Sequence, residues 1–117
     1  MEAFLFEYCQ AYVDKQIDKF STFFTPDAIE KSKPFQSQIP KYRGYFDAID
    51  SMSYWIELKD YSIPKNTKII QIEGTFNLQV QLKKGSKKWE YSSGDVSMDL
   101  VASGDSFKIR RLDYYVE

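Results

Sequence analysis

A change of hydrophobic period near residue 52 constrains this chain more than any other feature. From Ala3 to about Met52 the apolar side chains recur at helical spacing, and from Tyr54 to Val116 they alternate, with turn residues between the runs. Helices first and a long run of strands after describe an α+β chain. A curved antiparallel sheet then wraps a helical layer, an arrangement that tends to enclose a pocket. Without linkers, repeats or low-complexity stretches, residues 1–117 are expected to form one domain, long enough to bury a core without staples.

The first helix is expected from about Glu2 to Lys15, with Phe4, Leu5, Tyr8, Ala11 and Tyr12 on one stripe and Glu7, Gln10 and Asp14 opposite. A second starts near Ile17, carries Phe20, Phe23 and Phe24, and stops at Thr25-Pro26, because the residue before proline avoids the helical region. Asp27 to Glu30 then reads as a turn or a short edge strand. Pro34 and Pro40 bracket a loop or short turn, and Pro40 is placed as the first residue of a third helix with Tyr42, Tyr45, Phe46 and Ile49 inward. Four strand patterns follow. Met52 to Ile63 carries Tyr54, Ile56 and Leu58 on one face. The next run, Ile70 to Leu82, alternates most clearly, and Gly74 within it is expected to mark a bend. Lys84-Gly85-Ser86 turns the chain, with Lys83, Lys84, Lys87 and Lys88 as a solvated hairpin tip. Trp89 and Tyr91 fall on one parity and Val96, Met98 and Leu100 on the other, which predicts a bulge around Ser92-Ser93-Gly94. Phe107 to Val116 closes the sheet.

Composition excludes several function classes. Aromatic residues make up 17%, enough to fill a core and still line a cavity or an interface. The 16 basic and 17 acidic residues leave a net charge of −1, without the basic surplus of a nucleic-acid binder. No histidine is present, so Ser–His, Cys–His and His–metal sites are impossible. Cys9 stands alone and reads as a small buried hydrophobe rather than a nucleophile. No acidic loop suits Mg²⁺ or Ca²⁺, so no metal and no cofactor is expected. Nothing reads as a signal peptide or a membrane span, and a cytoplasmic protein is the expectation.

The helix–break–helix Tyr12 to Phe20, the following Phe23-Phe24-Thr25-Pro26-Asp27-Ala28 and the closing Gly104 to Tyr114 resemble the nuclear transport factor 2-like superfamily. The resemblance covers essentially the whole chain. It implies a cone-shaped α+β fold with three N-terminal helices packed in a strongly curved antiparallel sheet. Functions hosted on that fold are diverse, so the resemblance speaks to fold more than to activity. For the ketosteroid-isomerase branch, the alignment puts Tyr8 at the oxyanion-hole tyrosine and Ser32 or Lys33 at the catalytic aspartate. Neither of those can act as a carboxylate base. Asp95 or Asp99 is available for the second acid. A core role for Tyr8 is the stronger reading, and no catalytic residue is assigned.

Two function classes follow. One is a non-catalytic domain, a homodimer through the sheet, binding a small apolar or carboxylate-bearing molecule or a partner segment in an aromatic-lined cavity. The alternative is an isomerase or dehydratase working through carboxylate and tyrosine. The expected pocket residues are Tyr8, Tyr12, Tyr42, Phe46, Arg111 and Asp113. Arg111 and Asp113 face the cone if Phe107 and Ile109 do so without a bulge. A phase change would turn Leu112, Tyr114 and Val116 inward instead. Asp27 reads as a turn residue, and Trp55 and Trp89 as packing across the sheet.

Overall fold

The computed structural model describes residues 1–85 and 88–117. Its elements are α1 (Glu2–Val13), α2 (Ile17–Ser21), β1 (Phe24–Glu30), β2 (Lys33–Pro34), α3 (Phe35–Ala48), β3 (Ile49–Ser62), β4 (Ile70–Leu82), β5 (Glu90–Ser103) and β6 (Ser106–Val116). All six strands form one sheet in the order β2-β1-β6-β5-β4-β3. The helices cover its concave face. One pairing departs from the antiparallel expectation: β1 runs parallel to β6.

Apolar spacing decides which faces meet. Phe4, Leu5, Tyr8, Cys9, Ala11 and Tyr12 on α1 are all buried against Ile72, Phe76, Met98, Leu100 and Ile109 from the sheet. Lys15 ends α1 in the left-handed region at φ 58°, where a residue other than glycine is uncommon. Its ammonium compensates by donating to the Ile49 carbonyl at 2.8 Å, which ties the α1–α2 corner to the end of α3.

Several local expectations fail for identifiable reasons. The second helix stops at Ser21, before Pro26 could act, because the next backbone is recruited by β6: the Ile109 N–H donates to the Phe23 carbonyl at 2.7 Å. Asp27 to Glu30 therefore belongs to β1, inside the sheet, with two-residue β2 as the true edge. Pro26 sits in the stretch where the β1–β6 register shifts, as a residue without an N–H should. Pro40 is not the start of the third helix but lies inside α3. Burial of Phe35 at the first position, stacked on Phe24 with centroids 3.7 Å apart, extends the helix back past the proline. Tertiary packing overrides local preference here.

In the sheet, the expected bend at Gly74 is present: β3 carries an extra residue, Lys59, opposite it. A side chain on Gly74 would collide with the Glu57 carbonyl oxygen, so the crossing needs glycine. The bulge expected at Ser92-Ser93-Gly94 is absent, since β4 and β5 pair in unbroken register from Ile70–Leu100 to Val80–Glu90. The parity change has a simpler cause. Tyr91 stays on the outer face, 71% exposed, while small residues, Ser92 and Gly94, take the inward positions. The register shift lies one strand on. Asp99 pairs with Arg111 but Leu100 pairs with Ile109, so Arg110 is the extra residue of β6. Of the basic tip, Ser86 and Lys87 fall outside the described residues; Lys83, Lys84 and Lys88 are exposed.

Candidate functional site

The inward residues of α1, α3, β3 and β6 leave a cavity of about 270 Å³ between helices and sheet. Six tyrosines line it: Tyr8 and Tyr12 from α1, Tyr42 and Tyr45 from α3, Tyr54 from β3 and Tyr114 from β6. Phe76, Leu78 and Leu112 supply apolar wall, and Ser92 leaves space where a larger residue would fill it. Helical spacing explains the set, because Tyr8 and Tyr12 lie four residues apart on one α1 face. Rings pack behind them, Tyr12 edge to face against Phe46 at 5.0 Å and Tyr8 tilted against Phe20 at 5.4 Å. Burial raises the hydroxyls of Tyr8, Tyr12, Tyr42 and Tyr54 above the ordinary phenol value. At neutral pH they are hydrogen-bond donors and acceptors, not phenolates.

A second cavity of about 410 Å³ lies beside the first and shares Tyr42, Tyr45 and Tyr114 with it. Its other walls are Glu30 on β1, Lys31, Lys33 and two α3 residues, Gln38 and Lys41. Glu30 is the one buried charged residue among the described residues, 6% exposed. The Tyr42 hydroxyl donates to its Oε2. Desolvation lifts the Glu30 carboxyl above its usual range, while the hydrogen bond from Tyr42 and the ammonium groups of Lys31 and Lys41 oppose that rise. Tyr42 in turn is pushed well up, chiefly by burial and then by the neighbouring carboxylate.

Of the six residues expected at the pocket, the structure brings three together there, Tyr8, Tyr12 and Tyr42. Phe46 supports the wall from behind Tyr12. Arg111 and Asp113 do not face the cavity. The extra residue at Arg110 turns Leu112 and Tyr114 inward and sends both charges to the outer face of the sheet. There Arg111 Nη2 donates to Asp99 Oδ1 at 3.0 Å and to Ser97 Oγ at 2.9 Å, and Nη1 pairs with Asp113. Asp95 and Asp99 share this outer parity, so neither reaches the cavity as a second acid. Asp27 is exposed on β1 rather than in a turn, and it accepts from the Thr25 Oγ1 hydroxyl at 2.8 Å rather than from backbone. Trp55 and Trp89, expected to pack across the sheet, are 44% and 41% exposed. Cys9 is buried, and desolvation pushes its thiol up to about 12, away from nucleophile chemistry.

Glu30 is the residue that sequence reasoning missed. Phe24, Ala28 and Glu30 are all buried in β1, and a strand reading of that segment puts the last two on one face.

A protein from Novosphingobium aromaticivorans provisionally named a scytalone dehydratase superposes with a TM-score of 0.82 at 10% identity, over 99% of this chain and 80% of that one. A nuclear transport factor 2-like superfamily protein from Salmonella enterica gives 0.77 at 9% identity, over 98% and 87% of the two chains. The chain has the nuclear transport factor 2-like fold. ActVI-ORFA from Streptomyces coelicolor shares it, with a TM-score of 0.77, 13% identity and coverage of 98% and 92%. No protein-family model and no curated protein matches the sequence. At such identities the likeness carries the cone-shaped fold and leaves the chemistry to the residues of this chain. Among the described residues no helix is long and apolar enough to cross a membrane.

Proposed function

We propose that this chain is a small-molecule-binding domain whose ligand is a flat, mostly apolar compound held in the tyrosine-lined cavity. The observation that carries the reading is the cavity itself: about 270 Å³, near the lower end of ligand pockets, with apolar walls and phenol hydroxyls from four elements. Rings supply a low-entropy contact surface, and the hydroxyls orient a carbonyl or hydroxyl on the ligand. The protein works as a cytoplasmic homodimer that pairs through the outer sheet face, where Trp55, Tyr91 and Tyr115 are exposed. Calorimetric titration with 2-naphthol tests the cavity. Binding is expected in the wild type and absent in Ser92→Trp, which fills the space without touching the core. Equal binding by both proteins would put the ligand elsewhere.

One observation favours a second reading, an enzyme of the isomerase or dehydratase type. Glu30 is buried and hydrogen-bonded to Tyr42, and a carboxyl that burial raises above its usual value is suited to accept and return a proton. Deuterium exchange at the α-carbon of 2-tetralone, followed by NMR, separates the two. Acceleration by the wild type that vanishes in Glu30→Gln supports catalysis; exchange at the buffer rate supports binding alone.

A further inference from the structure

The turn between β1 and β2 consists of two residues, Lys31 and Ser32, with φ of 48° and 68°. Both central residues in the left-handed region make a hairpin turn of the kind that favours Asn-Gly, and neither residue here is asparagine or glycine. The turn is held nonetheless, because the Lys31 N–H donates to the Leu112 carbonyl of β6 at 3.0 Å. Its effect is positional. The Lys31 ammonium stands 4.6 Å from the centroid of the Tyr114 ring, and Tyr114 is a wall common to both cavities.

Lys33 and Lys41 line, with Lys31, the second cavity of about 410 Å³, here the outer cavity, with the tyrosine-lined one as the inner. The ion pairs of Arg43, Lys59 and Arg111 lie elsewhere, and none of the three cavity lysines takes part in one. The opposing charge there is Glu30, already engaged by Tyr42. Three ammonium groups against one carboxyl leave the outer cavity net positive, beside an inner cavity that is net neutral.

Resting on the small-molecule reading of the inner cavity, we infer that the outer cavity is an oxyanion vestibule. Lys31, Lys33 and Lys41 hold the carboxylate or phosphate of an aromatic ligand whose ring system lies among the tyrosines. Lysine suits either oxyanion, because an ammonium acts as a point charge rather than as a planar fork. The Lys31 ammonium is exposed and lies over the Tyr114 ring, a contact that it can exchange for an anion.

The test compares probes of one ring size: 2-naphthoate and 2-naphthyl phosphate against neutral 2-naphthol, by calorimetry at two salt concentrations. The anions are expected to bind roughly tenfold more tightly at low salt, with the advantage shrinking as salt rises. Lys31→Met and the double variant Lys33→Met/Lys41→Met should each remove most of that advantage and leave 2-naphthol unchanged, while Lys31→Arg restores part of it. Lys65→Met, in the β3–β4 loop, carries the same charge change and should have no effect. The ratio of naphthoate to naphthyl phosphate identifies which oxyanion is preferred. Equal affinity for the anions and 2-naphthol overturns the vestibule and leaves the inner cavity standing. Binding of none of the three overturns the inner cavity and the vestibule with it.

Discussion

The two faces of the sheet hold their polar groups in opposite ways. On the outer face Arg111 meets Asp99, Asp113 and Ser97, and its guanidinium is raised above its usual value chiefly by the hydrogen bond to Asp99. That cluster is self-satisfied. On the inner face Glu30 has a single phenol partner, and the lysines around it are not ion-paired within the described structure. The contrast teaches that a charge beside a groove marks a ligand site only where its compensation is incomplete. One extra residue in β6 decides which group Arg111 belongs to.

Four substitutions probe that contrast. The largest effect is expected from Phe35→Ala, which removes a fully buried ring stacked on Phe24 and frees the helix that carries Tyr42 and Tyr45. Urea denaturation should show a loss of about 3–5 kcal/mol, with ligand binding falling alongside. A loss below about 1 kcal/mol would mean that the inner wall does not depend on this stack.

Arg111→Met should cost much less, about 1 kcal/mol, since the side chain is 32% exposed and solvent screens the pairs. It should leave binding of 2-naphthol unaltered. Weakened binding would return Arg111 to the site.

Glu30→Gln separates the faces by pH. The folded carboxyl keeps its proton to higher pH than in the unfolded chain, so the folded state binds more protons between the two values. Stability conferred by the neutral form is therefore present below the unfolded carboxylate value, about 4.3, and is lost as pH rises through the folded one. Thermal melts across that window should fall in the wild type relative to Glu30→Gln. Parallel curves would show that burial does not shift this carboxyl.

Tyr91→Lys should change monomer stability least, within about 0.5 kcal/mol, because the residue is 71% exposed. Light scattering should nonetheless drop from twice the 13.8 kDa chain mass to that mass. A wild type that already scatters as one chain removes the outer face as an interface.

The sequence made α1, the α3 face bearing Tyr42 and Phe46, and the alternation of β4 legible, because each buries a long periodic stripe. It hid what depends on single residues. Pro26 interrupts β1 and masks the parity that turns Glu30 inward. The phase change at Arg110 is legible only as one of two readings, since no glycine or proline marks the bulge that turns Leu112 and Tyr114 inward. Lys31-Ser32 makes a tight hairpin without the usual residues. Each of these is set by contacts with a strand distant in sequence, and local pattern carries no record of such contacts.

The parallel pairing of β1 with β6 has a consequence for how the molecule comes into being. Residues 24–30 find their partner in residues 106–116, far along the chain and synthesised well after them. Such long-range closure carries a large loop entropy and is slow compared with helix formation or hairpin zipping. Glu30 and the tyrosines of α1 and α3 are therefore synthesised before β6 and wait, uncovered, for it. Pulse-labelled refolding should protect the Lys31 and Ile109 amides, which join β1 and its flanks to β6, after those of the β3–β4 hairpin. A chain cut before β6 has every helix and most of the sheet, and still no enclosed site.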